Sequence, residues 1–197
     1  MKEIWIATKN RGKMIEFETL LKAPDVTLHS VVELNTYTAP PETGATFEDN
    51  ARIKAKSLKA MKPGCWILAD DSGLEVPGIN NMPGVHSARY AGPKASDPEN
   101  VAKLLKMIGL RSADKRQAQF KCVIVGYKPT GEEFVVTGEV KGEISRIVKG
   151  KDGFGYDPVF IPDGQTQTFA ELGVTEKNKM SHRAQAIRKL LPILENT

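Results

Sequence analysis

The chain has 197 residues, enough for one domain, or one domain in two lobes, with a sizeable buried core. Hydrophobic residues make up 40% and charged residues 26%, the proportions of an ordinary globular protein, and no stretch is apolar enough to read as a membrane span. The net charge of +4 comes without any block of consecutive basic residues, which argues against a nucleic-acid tail and leaves either a solvated surface or an anionic partner such as a phosphate ester.

Residues 3–7 read as a buried first strand rather than a signal peptide. A polar turn, Thr8 to Lys13, leads into a helix with Met14, Phe17, Leu20 and Leu21 on one face, ended by Pro24. A second strand is predicted over Thr27–Val32, then a polar loop from Leu34 to Ala45. Thr46 with Asp49 is a capping-box variant opening a helix whose face is Phe47, Ala51, Ala55 and Leu58, stopped by Pro63-Gly64. Cys65–Ala69 reads as a short buried strand ending in the turn-like Asp70-Asp71-Ser72-Gly73, and residues 77–93 as a Gly- and Pro-rich loop. Asp97-Pro98 is predicted to cap a helix through about Met107. Strands over Gln117–Tyr127 and Glu132–Val140 form a hairpin, with a further strand near Glu143–Val148. Gly150–Gly155 is a glycine-rich loop, Val159–Ile161 a short strand, and Ser181 the cap of a last helix with Ala184, Ile187, Leu191 and Leu194 inward and a kink or early end at Pro192. This order implies an α/β fold with a mixed sheet and flanking helices. Cys65 and Cys122 lie far apart in apolar runs and read as buried free thiols, suited to a reducing cytoplasm.

Four segments carry chemistry. Thr8 to Lys13 lies between a strand and a helix N-terminus, where N–H groups and the dipole favour anions; the same residues also fit a plain surface turn. Asp70 and Asp71 end a buried strand, and adjacent strand residues face opposite ways, so one faces the ligand and the other supports the turn. Oxygen ligands there suit Mg²⁺, and Glu42 offers a second carboxylate. In Phe154-Gly155-Tyr156-Asp157, glycine permits close approach and an aromatic face can stack on a base, unless both aromatics are core residues. Lys177 with Ser181-His182-Arg183 places cations in the first turn of the last helix, where the dipole calls for a compensating anion.

Together these residues resemble the Ham1 (inosine triphosphate pyrophosphatase) family, specifically its bacterial dITP/XTP pyrophosphatase branch. The likeness rests on Ala7-Thr8-Lys9-Asn10 with Gly12-Lys13, Glu42-Thr43-Gly44, Thr46-Phe47 with Asn50-Ala51, and Ala69 to Leu74. It continues through Pro83-Gly84, Ser87 to Tyr90, Gly153 to Pro158 and Ser181-His182-Arg183. Lys9 departs from the pattern, since many members carry Gly there. The resemblance implies a single pyrophosphatase domain over 1–197, two lobes around a central cleft, and a homodimer. It also implies hydrolysis of ITP, dITP and XTP to the monophosphate and pyrophosphate.

On this basis Thr8, Lys9, Asn10, Arg11, Gly12, Lys13, Lys54 and Lys177 are expected to hold the triphosphate, and Ser72 to contact substrate. Glu42 and Asp71 are expected to hold Mg²⁺, with Asp71 the general base and Asp70 the alternative. Phe154, Gly155 and Tyr156 are expected at the base, whose edge Asp157, His182 and Arg183 would read, His182 and Arg183 being the donors that match a 6-keto oxygen. No nucleic-acid or membrane partner is expected. The competing readings are a nucleotide-binding module without catalysis and a Maf-like pyrophosphatase acting on pyrimidines.

Overall fold

The computed structural model describes residues 2–195. Its seven-stranded mixed sheet has the order β2-β1-β3-β5-β6-β7, with β4 beside β3. The strands are β1 (Lys2–Ile6), β2 (Val26–Ser30), β3 (Trp66–Val76), β4 (Met82–Pro83), β5 (Gln117–Tyr127), β6 (Glu133–Ile144) and β7 (Phe160–Pro162). The helices are α1 (Arg11–Leu20), α2 (Phe47–Met61), α3 (Asp97–Arg111), α4 (Phe169–Met180) and α5 (His182–Glu195). The chain forms two compact units. The first takes the described residues through Asp71, Cys122–Gly138 and those from Arg183; the second takes Ser72–Lys121 and Glu139–His182. Strands β3, β5 and β6 each contribute a part to both.

In the first unit β1 pairs in parallel with β2 and with β3, Ile4 opposite Leu28 and Trp66, Ile6 opposite Ser30 and Leu68. A parallel pair needs a crossover, which α1 supplies. The core gathers Ile4, Ile6, Phe17, Leu68, Ile124, Ile187 and Leu190. The second unit has its own core from β3, α3, β5, β7 and α4, with Leu74, Leu104, Ile108, Phe120, Phe160 and Phe169.

Capping chemistry decides the helix starts. Asn10 accepts from Lys13 N–H at 3.0 Å and opens α1. Thr46 with Asp49 closes a capping box on α2, as the sequence implied, and Phe47, Ala51, Ala55 and Leu58 are buried. On α3 the cap is Ser96, paired with Glu99, not Asp97, and the helix runs on to Arg111 because Leu104 and Ile108 continue its buried face.

Other expectations are corrected. Asp70-Asp71-Ser72-Gly73 is no turn: β3 continues through it to Val76, since Leu74 and Val76 are core residues. The separate strand near Glu143 is the end of β6. Residues 77–89 carry two 3₁₀ turns, Pro77–Ile79 and Gly84–Arg89, flanking β4. Helix α4 escaped the sequence reading although Thr168 and Glu171 form a capping box; Gly173, at φ 79°, breaks its helical pattern. Pro192 lies inside α5 rather than ending it. The inward residue there is Leu190, fully buried, whereas Leu191 is 36% exposed. Cys122 is buried as expected, but Cys65 is only half-buried.

The facing of α5 makes a measurable difference. Leu190→Ala should cost about 2–5 kcal/mol of stability through the cavity it leaves, and Leu191→Ala well under half of that. Urea unfolding of the two variants checks this; equal losses would mean that the helix is rotated.

Candidate active site

The turn after β1 is held from three sides. Ser30 Oγ donates to the Thr8 carbonyl at 2.9 Å, Thr8 Oγ1 accepts from Asn10 N–H at 3.1 Å, and Asn10 caps α1. Arg11, Gly12 and Lys13 form the first turn of that helix, where peptide N–H groups and the dipole favour an anion. Lys9 needs no glycine-like backbone: among the described residues only Asn80 and Asn81 are non-glycines at positive φ. Its ammonium lies 5.7 Å from the centre of the Tyr37 ring.

The period of two along β3 separates the paired carboxylates. Asp70 is 1% exposed, and its Oδ2 meets Lys13 Nζ at 2.9 Å and Arg183 Nη2 at 3.0 Å. Arg183 Nη1 pairs with Glu16, which is also buried. Two cations and two carboxylates thus share one interior cluster. Burial pushes the Asp70 carboxyl up, but Lys13, Arg183 and Lys54 outweigh it and hold it well below the usual carboxylate range. Arg183 is driven the other way, its charged form favoured by Asp70 and Glu16 against burial. The anion that the dipole argument demanded beside the start of α5 is therefore present.

Asp71 turns to different partners. Lys54 Nζ stands between Glu42 Oε1 at 2.9 Å and Asp71 Oδ1 at 3.2 Å. Asn50, fully buried, donates to Asp71 Oδ2 at 3.3 Å and accepts from Gly44 N–H at 2.8 Å, so it ties the Glu42 loop to the Asp71 carboxylate. A side chain at Gly44 would stand 2.7 Å from that Asn50 oxygen, which fixes glycine there. Burial raises the Asp71 pKa; Lys54 and Lys13 pull it down, while Glu42 and Asp70 push it up. Lys54 is raised, since Asp71, Asp70 and Glu42 outweigh its burial.

In the second unit Asp157 Oδ2 accepts from Lys177 Nζ at 2.6 Å and from Phe154 N–H at 3.0 Å. The Lys177 ammonium lies 4.6 Å from the centre of the Phe154 ring, so the structure groups Lys177 with the aromatic loop. Phe154 is half-buried, but Tyr156 is a core residue, as one of the two sequence readings had it, its hydroxyl donating to the Ser87 carbonyl at 2.8 Å. Gly155 N–H donates to Asp97 Oδ2 at 2.7 Å. The His182 imidazole stacks on Phe120, centroids 4.7 Å apart and planes 9° from parallel. Ser72, half-buried, follows Asp71 in β3.

The sequence alone does not single out Glu16, Asn50, Asp97 or Phe120 for a role in the site. Glu16 could have been found as the i, i+3 partner of Lys13 on α1, and Asn50 as a polar residue on the buried face of α2. For Phe120 and Asp97 the sequence carries no signal, because their partners, His182 and Gly155, lie on elements far along the chain.

The Asp70 cluster makes a prediction about stability. Its folded pKa lies below the ordinary 3.8, so its ionised form stabilises the fold at every pH above that value, and the contribution is lost as pH falls further. Asp70→Asn should therefore cost about 3–5 kcal/mol at pH 7 by leaving Arg183 undercompensated, with the gap to wild type closing below pH 3.8. Denaturant titrations at several pH values test it, and a pH-independent gap would contradict it.

Known proteins bear closely on this arrangement. Residues 4–193 match the model of the Ham1 family. A dITP/XTP pyrophosphatase of Bdellovibrio bacteriovorus is 56% identical over 194 residues, covering 98% of each chain. One from Bacillus subtilis is 42% identical over 195 residues, covering 99% of this chain and 98% of its own. Among solved structures, a HAM1 protein from Coxiella burnetii superposes with a TM-score of 0.90 at 38% identity over 100% of both chains. The Staphylococcus aureus Ham1 protein gives 0.86 at 42% identity over 99% of both. The family match runs from within β1 to within α5, and the chain belongs to the Ham1 family.

Proposed function

We propose that this protein hydrolyses non-canonical purine nucleoside triphosphates (ITP, dITP and XTP) to the monophosphate and pyrophosphate, acting over 1–197 as a single pyrophosphatase domain. The observation that carries this reading is the Glu42–Lys54–Asp71 arrangement beside a basic turn at a helix N-terminus, in a chain of this family. Phosphoryl transfer asks mainly for positioning and charge neutralisation. Thr8, Lys9, Asn10, Arg11, Gly12 and Lys13, with Lys54, are assigned to the triphosphate, Lys13 exchanging part of its Asp70 pairing for phosphate. Ser72 is assigned to substrate.

The donor set fits Mg²⁺. Glu42 Oε1 and Asp71 Oδ1 both meet the Lys54 ammonium, and carboxylate oxygens are the hard donors that Mg²⁺ takes. Bound Mg²⁺ would neutralise charge on the triphosphate. Asp71 is the better general base, because Asp70 is committed to Lys13 and Arg183. Its carboxylate takes the proton of the water that attacks the α-phosphorus; the α–β bridging bond breaks and pyrophosphate leaves with the electron pair.

For the base, Phe154 offers a stacking face within the Gly155-Tyr156-Asp157 loop, and Lys177 lies beside it. His182 and Arg183 are assigned to the 6-keto oxygen, as donors that disfavour an adenine amino group, and Asp157 to the base edge as an acceptor. The same reading makes the protein a cytoplasmic homodimer, in keeping with its two free cysteines. No helix among the described residues is long and apolar enough to cross a membrane.

Pyrophosphate release from ITP, XTP, GTP, ATP and dTTP, with Mg²⁺ and with EDTA, tests this directly. Metal-dependent turnover of ITP and XTP far above GTP and ATP is expected; no release from any of them would sink the assignment. Asp71→Asn should lower kcat about 10²–10⁴-fold with the fold intact. A base works unprotonated, so the wild-type rate should fall at low pH as the carboxylate takes up a proton. Near wild-type turnover by the Asp71→Asn variant would reassign the base.

A further inference from the structure

The loop that carries Phe154 is built from residues that do not hold their own shape. Gly153 and Gly155, on either side of the ring, sit at φ 79° and 61°, a region that glycine enters freely and leaves as freely. Such a segment presents its aromatic side chain in one direction only if its peptide groups are fastened. Two successive N–H groups are. That of Phe154 donates to Asp157 Oδ2 within the loop itself, at 3.0 Å. That of Gly155 donates at 2.7 Å to Asp97 Oδ2, a residue 58 positions earlier in the chain.

Helix capping does not account for Asp97. It is the first residue of α3, and the obvious role for a carboxylate there is to cap the helix. The cap is already complete without it. Ser96 Oγ accepts from Glu99 N–H, and Glu99 Oε2 accepts from both the N–H and the hydroxyl of Ser96 at 2.7 Å. The Asp97 carboxylate instead reaches out of the helix to the loop, at a place where the helix dipole favours a negative charge and strengthens a bond from a peptide N–H. With Asp157 pinning the N–H of Phe154 and Asp97 the next one, the peptides on both sides of the ring are fixed. Tyr156, anchored on the Ser87 carbonyl, fixes the following residue.

We propose that Asp97 is a positioning residue for base recognition: through Gly155 N–H it holds the loop in the one conformation that presents Phe154 to the purine. It touches neither phosphate nor reacting atoms, so it should set how well the base is bound and leave the chemical step alone. This rests on Phe154 receiving the base.

Asp97→Ala and Asp97→Asn, both at an exposed position, test the idea in the full chain. In the Ala variant the KM for ITP should rise roughly three- to tenfold, as expected for one charge-assisted hydrogen bond acting indirectly, with kcat within about twofold of wild type. Inhibition by inorganic tripolyphosphate, which has no base, should be unchanged. Amide hydrogen exchange in the peptide spanning residues 153–157 should quicken while the rest of the protein keeps its protection. The Asn variant retains an oxygen acceptor and should recover most of the loss. The proposal is overturned if Asp97→Ala leaves KM and exchange unaltered, if KM and the tripolyphosphate constant rise together, if kcat falls instead, or if Asn behaves like Ala. Should wild type fail to turn over ITP at all, the functional reading falls, yet the exchange measurement still reports whether Asp97 fastens the loop.

Discussion

Two adjacent residues of a β-strand cannot face the same way, and in this protein that constraint divides the labour of the Asp70-Asp71 pair. The strand runs straight through both, so one carboxylate joins Lys13 and Arg183 while the other, also buried, turns to Lys54 and Asn50. The first would be ruinously expensive alone; a buried charge of this kind persists only with partners. Lys13, Arg183 and, through Arg183, Glu16 provide them. The cluster therefore joins β3, the first turn of α1 and the first turn of α5 in one unit. The same two helix starts carry residues assigned to substrate, so the ion pairs that stabilise the fold also tie down the turn after β1.

The second unit solves a similar problem on a smaller scale. Lys177, 2% exposed, is tolerated because Asp157 meets it at 2.6 Å. That carboxylate simultaneously accepts Phe154 N–H, so satisfying a buried ammonium and shaping a glycine loop are a single arrangement. A side chain at Gly153 would run into the Asp157 carboxylate, which is why that position admits no other residue.

What the sequence disclosed and what it withheld follow a physical line. Local signals were legible: the Thr46–Asp49 cap, the buried face of α2, the hairpin turn at Lys128 to Gly131, and the glycine loop all depend on residues within a few positions of each other. The course of β3 through Asp70-Asp71-Ser72-Gly73 was misread because turn propensity is local, whereas Leu74 and Val76 are drawn into a core made by distant segments. Helix α4 was missed for the opposite reason: its cap is local, but Gly173 interrupts the helical pattern. The four chemical segments were found as residue types. Their pairings, Arg183 with Asp70 across 113 positions or Lys177 with Asp157, required the fold.

The Lys54 ammonium, seated between Glu42 and Asp71, has a consequence for how two carboxylates can be brought together by folding. In sites where acidic ligands face one another unneutralised, removing the ion releases repulsion, and the metal becomes part of the folding free energy. Here a covalently tethered cation already occupies that electrostatic role. The polypeptide is thus its own counter-ion: Glu42 and Asp71 meet across a side chain of the same chain, and their mutual repulsion is answered as soon as α2 packs beside β3.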